Sequence, residues 1–575
     1  MRMIPILPAT AQLSVGGNRR ALTVSVMVLS VLAALPVAAI VARGMAFGAG
    51  ETWAHLANSV LPRYVANTLA LVVIVGAGVG IGGTAAGWLV ARRRFPGSTF
   101  LEWALLLPLA MPSYVMAYAY TDFLQYAGPL QTTLRETFGW ARGDYWFPEV
   151  RSLGGAATML VFALYPYVFL LARTAFLERP PALVEAARTM GLNTSQAFWR
   201  VELPLARPAI AGGIALALME TLADYGTVAY FAVDTFTTGV YRAWFSLGDR
   251  TAAAQLATGL LVFVVGAVAL ERASRGVARS YGGARGKSTV RALPERLTGM
   301  RAAGATLVCA TPLLLGFVLP ALLLIRLVQG EPDIALTSRF FAWGWNSFRV
   351  ALLAAVLAIA FATVLAYAMR LAPGVVTRAG SKILTLGYAI PGTVLAVGVL
   401  LPLGAIDNWF SSLRRDPTEA HPGLLLTGTI IALLYAYVVR YFAVAWNSIE
   451  PGFARITPAM DAAARSLGVG AWGTLVRIHA PLLMRSAAAA MLLVFVDVMK
   501  ELPATLVLRP FNFDTLATQT YLLAKDERLA EAALPSLAIV FVGLVPIIAL
   551  ARMARRGLGA VHHAPLAPGR AELGT

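Results

Sequence analysis

Two groups of charged side chains fall inside long apolar stretches of this 575-residue chain: Glu220 with Asp224, and Asp497 with Lys500 and Glu501. Glu220 and Asp224 are four apart and share a helix face, and Tyr225 and Thr227 follow directly. Asp497, Lys500 and Glu501 share a face and can neutralise one another, with Thr505 just beyond. A charge in a bilayer costs about 2.5–3.5 kcal/mol on insertion scales, so these residues are candidates for a pathway or gate. Carboxylate and phenol oxygens are hard ligands that suit hard cations. The same groups serve equally as ion pairs or hydrogen bonds that lock helices together, and the sequence leaves both readings open. Cys309 is the only cysteine, which excludes a disulfide framework or a cysteine metal cluster. His55, His421, His479, His562 and His563 show no ligand spacing, and no Ser-His-Asp or Cys-His set is present. Neither enzymatic activity, nor a resident metal, nor a cofactor is expected.

The elements that hold these charges must be membrane helices. Of all residues 58% are hydrophobic and 13% charged, about half the charge of a soluble domain. Apolar runs of about twenty residues recur, each long enough to cross a hydrocarbon core. Backbone groups in lipid must be satisfied within the segment, so the runs are helices. Spans are expected near 21–41, 66–90, 101–120, 155–177, 207–231 and 252–270. A second set lies near 303–326, 347–369, 383–403, 424–445, 482–507 and 533–551. The fold class is an all-α polytopic membrane protein of about twelve spans. The run Ala21–Val41 exceeds a signal-peptide core of 7–15 residues and is read as an uncleaved first span.

The net charge of +18 does not indicate nucleic acid, because the basic residues collect in alternate loops. Arg92, Arg93 and Arg94 follow span two, and Arg370, Arg378 and Lys382 follow span eight. Residues 271–301 hold eight basic residues against two acidic ones, and Arg552, Arg555 and Arg556 follow the last span. These loops and both termini are placed in the cytoplasm of a cell whose inner membrane holds the chain.

The chain repeats itself. Asn67-Thr68 recurs 279 residues later as Asn346-Ser347, and Met111-Pro112-Ser113-Tyr114-Val115 at the same offset as Ile390-Pro391-Gly392-Thr393-Val394. Leu164-Tyr165-Pro166-Tyr167-Val168 matches Leu434-Tyr435-Ala436-Tyr437-Val438, and Asp234-Thr235 with Tyr241 matches Asp514-Thr515 with Tyr521. Six spans separate equivalent points, so the two six-helix halves are parallel and pseudo-symmetric, which suggests a path between them. Residues 1–271 form the first repeat, 272–301 a basic linker and 302–575 the second repeat. Pro112 and Pro391 are placed to kink spans three and nine, and Pro503 to break span eleven. Asn67 and Asn346 are read as caps or bridges.

Two loops have one internal spacing. Glu185-Ala186-Ala187, then Gly191, then Leu203-Pro204 parallels Ala462-Ala463-Ala464, then Gly468, then Ala480-Pro481. Pro180-Pro181 and Pro458 suit a helix start, the alanines favour helix, and glycine supplies a left-handed stop. Thr194 or Ser195 is placed to cap the next helix of the first loop. Each loop is a small cytoplasmic helical hairpin, shaped for a groove in another protein.

These loops resemble the EAA motif of ABC importer permeases. The resemblance extends to Met219–Val228 with Thr235–Gly239, and to Met499–Thr505 with Leu508–Thr518, which look like the two halves of fused ferric-iron permeases. It implies a short coupling helix in each loop docking on a nucleotide-binding subunit. It also implies two separate ATPase subunits, a periplasmic substrate-binding protein and ferric iron as cargo. Thiamine and aminoethylphosphonate permeases have related layouts and remain alternatives, and an ion-coupled secondary transporter would leave the hairpins unexplained. One departure stands out: the motif glutamate is Glu185 in the first loop, but Ala462 holds its place in the second, with Asp461 one residue earlier. That displaces the carboxylate by about 100° around the helix. The string Gly286-Lys287-Ser288-Thr289 is not a P-loop, because Tyr281 stands where the motif needs glycine.

Overall fold

The structure is a computed structural model that describes residues 9–45, 51–141, 143–178, 181–279, 295–330, 337–413 and 424–562. Pro180, His421, His563, Tyr281 and the Gly286-Lys287-Ser288-Thr289 string lie outside the described residues. Among those described, eleven helices are long and apolar enough to cross a membrane, or twelve if one bent pair is a single span. The pair is Ser98–Ala110 with Ser113–Phe138, meeting at 91°.

The third span is therefore not one kinked helix. Met111 and Ile390 both take extended backbone, with ψ of 108° and 123°, the region into which a following proline forces a residue. Helix resumes at Ser113 in one half and at Gly392 in the other. Spans five and eleven, Thr194–Ala223 and Ala471–Met499, start earlier than the apolar pattern indicates. In each, the second arm of the hairpin runs straight into the span through a five-residue π-turn, Phe198–Glu202 or Leu475–His479. Both spans also stop short. Span eleven ends at Met499, and Pro503 opens a separate helix to Leu508. Span five ends at Ala223 without any proline, and a short helix follows over Gly226–Tyr230.

Within the first half, spans two (Leu61–Arg92) and four (Leu153–Glu178) approach closely through glycine. A Cβ on Gly83 would lie 2.7 Å from the Val168 Cβ and 2.9 Å from the Tyr165 carbonyl oxygen. Small residues allow such backbone approach where lipid offers no hydrophobic drive. Span eight (Ser338–Leu371) achieves the same with a stripe of fully buried alanines, including Ala351, Ala354, Ala355, Ala358 and Ala362. Asn67 donates to the Asp234 carbonyl at 2.8 Å and Asn346 to the Asp514 carbonyl at 2.9 Å. The two asparagines thus bridge equivalent positions of their own halves.

The first span of each repeat crosses to the other. Span one (Ala9–Gly44) lies against the second half, where Gly380 and Gly398 leave room for Val26 and for the Pro36 carbonyl. Tyr435 donates to the Leu32 carbonyl at 2.5 Å. Span seven (Gly299–Gly330) lies against the first half: Gly316 sits over the Phe162 carbonyl, and Tyr120 donates to the Leu315 carbonyl at 2.6 Å. The end of the linker is tied down too. Glu295-Arg296 pairs in parallel with Arg93-Arg94 after span two, and Arg93 and Glu295 form an ion pair.

Candidate functional site

Where the broken spans of the two halves meet, a cavity of about 130 Å³ opens. Glu220, Asp224 and Tyr225 line it from the first half, and Asp497, Lys500 and Glu501 from the second. The charged groups singled out in the sequence are thus gathered at one place, but they do different things there.

Asp224 and Glu501 each cap the short helix that follows the break. The Asp224 carboxylate accepts from the Thr227 and Val228 N–H groups at 3.0 and 3.2 Å, from the Thr227 hydroxyl at 2.9 Å and from Ser113 at 2.8 Å. Glu501 accepts from the Ala504 and Thr505 N–H groups at 2.9 and 3.0 Å and from the Thr505 hydroxyl at 2.5 Å. A carboxylate at a helix N-terminus satisfies donors that have no partner within the helix. Thr227 and Thr505 are fully buried behind these carboxylates rather than on the cavity wall. Tyr437 holds Thr505 from behind at 2.6 Å.

Lys500 pairs with Asp497 at 2.9 Å, whereas Glu501 turns away to its cap and to Arg440 at 3.9 Å. The mutual neutralisation expected of all three second-half charges is therefore confined to the Asp497–Lys500 pair. The helix ends at Met499, which takes Glu501 off the shared face. Glu220 stays on the wall beside Tyr167, Tyr388 and Tyr441. Tyr225 packs on Tyr241 and Tyr521, ring centroids 4.8 and 5.8 Å away, so equivalent tyrosines of the two halves converge on it.

Arg440 was not anticipated from the sequence. It lies within span ten (Ile430–Ala454), is 6% exposed and lines the cavity, and its Nε and Nη1 have no hydrogen-bond partner. A lone charge in an apolar run was the available signal. Among the described residues no group of acidic, histidine or cysteine side chains is arranged to hold a metal ion.

The two hairpins lie at the opposite end of spans four and ten from the loops that enter those spans. The first is a helix over Pro181–Thr189, a turn at Gly191 with φ +86°, and a second arm from Thr194. The second is a helix over Pro458–Ser466, a turn at Gly468 with φ +74°, and a second arm from Ala471. Such φ values favour glycine. The cap of the first hairpin's second arm is Asn193, which forms a capping box with Gln196, and not Thr194 or Ser195. Thr194 is already the first helical residue, so its predecessor takes the cap. Leu203-Pro204 and Ala480-Pro481 open the spans that follow. Ala187 and Ala464 face inward and are buried. Glu185, Ala186, Ala462 and Ala463 are exposed, and so are Met190 and Leu467 before the turns.

Asp461 is the exception on these surfaces. It turns inward, 9% exposed, and accepts from the Arg370 Nε at 2.6 Å, with His479 Nε2 2.8 Å from its other oxygen. Burial alone would raise its pKa. The hydrogen bonds from Arg370 and His479 outweigh that and hold the carboxyl below its ordinary range.

The family model described as binding-protein-dependent transport system inner membrane component matches residues 78–273. The Fe(3+)-transport system permease protein FbpB 2 of Haemophilus influenzae is 24% identical over 546 residues, 93% of this chain and 98% of that one. The ferric transport system permease protein FbpB of Actinobacillus pleuropneumoniae is 25% identical over 521 residues, 83% of this chain and 70% of that one. The sulfate transport system permease protein CysT of Salmonella typhimurium is 25% identical over 221 residues, 38% of this chain and 75% of that one. Residues 78–273 carry the domain of binding-protein-dependent inner-membrane components, and the chain is a multi-pass permease of the fused ABC importer type.

Proposed function

We propose that this permease imports ferric iron, delivered by a periplasmic binding protein and driven by two separate ATPase subunits docked on the Pro181–Ala197 and Pro458–Thr474 hairpins. The observation that carries the coupling role is the pair of hairpins with one geometry, each continuous with a span that breaks at the cavity. Exposed Met190 and Leu467 before the two turns give each hairpin an apolar tip that suits a groove. Repeat one is assigned to 1–271, the linker to 272–301 and repeat two to 302–575, with both termini cytoplasmic.

Iron is favoured by the two ferric permeases, whose matches span most of this chain, and by oxygen donors from both halves on the cavity wall. The carboxylates of Asp224 and Glu501 are occupied by helix caps and that of Asp497 by Lys500. The cavity thus offers passing oxygen contacts rather than a closed ligand set, as suits a permease that must release its cargo. A second reading, an oxyanion cargo, is favoured by the Arg440 guanidinium on the cavity wall, whose Nε has no hydrogen-bond partner, and by the likeness to CysT.

Deletion and uptake separate the two. A strain lacking the gene should grow poorly under iron limitation, recover on complementation, and take up radiolabelled iron only with the ATPase and the binding protein present. Intact iron uptake with lost sulfate, thiamine or aminoethylphosphonate use would overturn the cargo and leave the permease standing.

A further inference from the structure

Each hairpin is anchored to the bundle through one arginine at the end of a neighbouring span, but the carboxylate that receives it has moved. In the first half Glu202, the last residue of the π-turn and 6% exposed, pairs with Arg92 at 2.8 Å and accepts from the Trp88 indole at 2.6 Å. In the second half the equivalent last residue of the π-turn is His479. The carboxylate is instead Asp461, on the first arm, and Arg370 at the end of span eight reaches it.

Arg370 does more than pair. It also donates to the carbonyls of Ile456 at 2.8 Å and Thr457 at 3.1 Å, joining the end of span ten, the cap of the hairpin helix and Asp461 in one knot. His479 is 1% exposed, packed edge-on against Tyr367 and Phe453. The anchor therefore grips the second arm in the first hairpin and both arms in the second. Its position also accounts for the motif departure. A carboxylate serving the anchor must face inward, and position 461 faces inward where 462 faces out.

We infer that Asp461 is a positioning residue acting through Arg370 and His479, so that the two hairpins couple by different means. The first offers an exposed carboxylate, Glu185, to its partner. The second holds its angle against spans eight and ten by a buried anchor and presents Ala462 where the first presents its carboxylate. The inference rests on the reading of the hairpins as coupling elements.

The test uses the full-length permease reconstituted with its ATPase and iron-loaded binding protein in proteoliposomes, reading iron taken up per ATP hydrolysed. Asp461→Ala should lower that ratio about fivefold or more, within the usual size of coupling between sites. Adding His479→Glu to Asp461→Ala should restore most of it, because the pair rebuilds the arrangement of Arg92 and Glu202. Glu185→Gln should lower the ratio as well, and His479→Glu should not restore it. If Asp461→Ala leaves the ratio unchanged, or His479→Glu fails to restore it while Glu185→Gln still uncouples, the inference falls and coupling by hairpins stands. If neither Glu185→Gln nor Asp461→Ala moves the ratio, the coupling reading itself falls. Should Asp461→Ala not reach the membrane, Asp461→Asn with and without His479→Glu gives the same reading, since it keeps the volume and removes the charge.

Discussion

His479 Nε2 stands 2.8 Å from the Asp461 carboxylate, inside the second hairpin rather than on its exposed face. Asp461 is held ionised below its ordinary range, so it stabilises the fold above about pH 4 and that contribution is lost as pH falls through its folded value. Asp461→Asn should cost about 3 kcal/mol near pH 7, the lower end for breaking a buried pair. Thermal melting of the detergent-solubilised protein checks this. The gap from the native chain should narrow as pH drops from about 5 towards 3, and a gap independent of pH would contradict the assignment.

The turns predict a sharper loss. Gly191 and Gly468 hold φ of +86° and +74°, and their N–H groups donate to the Arg188 and Arg465 carbonyls at 3.0 Å. Proline can supply neither the angle nor the donor. Gly191→Pro and Gly468→Pro should each abolish uptake and stimulation of the ATPase while membrane levels stay normal. Preserved uptake in either variant, at normal membrane levels, would remove that hairpin from the coupling path.

At the cavity, scaffold and pathway carboxylates should separate. Asp224→Asn and Glu501→Gln weaken helix caps, at about 1–2 kcal/mol each, so folded protein in the membrane should fall together with uptake. Glu220→Gln touches no cap and should lower uptake at unchanged protein level. Lys500→Met leaves Asp497 without its partner and should behave like the cap variants. Quantitative immunoblotting beside initial uptake rates distinguishes the two patterns.

Arg440 has Leu170 as its counterpart at the 270-residue offset that relates spans four and ten. Arg440→Leu should insert normally, since an apolar residue suits the span. It should still lower the initial uptake rate about tenfold, equivalent to about 1.4 kcal/mol. Arg440→Lys should keep part of the rate. An unchanged rate in Arg440→Leu would make the guanidinium structural.

The spans were legible because an apolar run long enough to cross a membrane has one backbone solution. The break at Pro503 was legible for the same kind of reason, since proline cannot continue a helix. The matching break at Asp224 was not, because there the stop is made by a side chain folding back to cap the next helix, a choice fixed by Ser113 and Thr227 in space. The sequence showed that Asp461 was displaced from the motif position, but not what it reached. Arg370 lies 91 residues away and is brought near only by packing of spans eight and ten.

The exchange of first spans has a consequence for biogenesis. Span one precedes the other spans, yet Gly380 and Gly398, which form part of the surface it rests on besides span six, are made well over three hundred residues later. At about 5–20 residues per second, that is a wait of roughly 20–70 s in the bilayer without its second-half neighbours. The packing of span one is thus unfinished until span nine has been inserted. A chain truncated before span nine would hold span one loosely and present itself to membrane quality-control proteases.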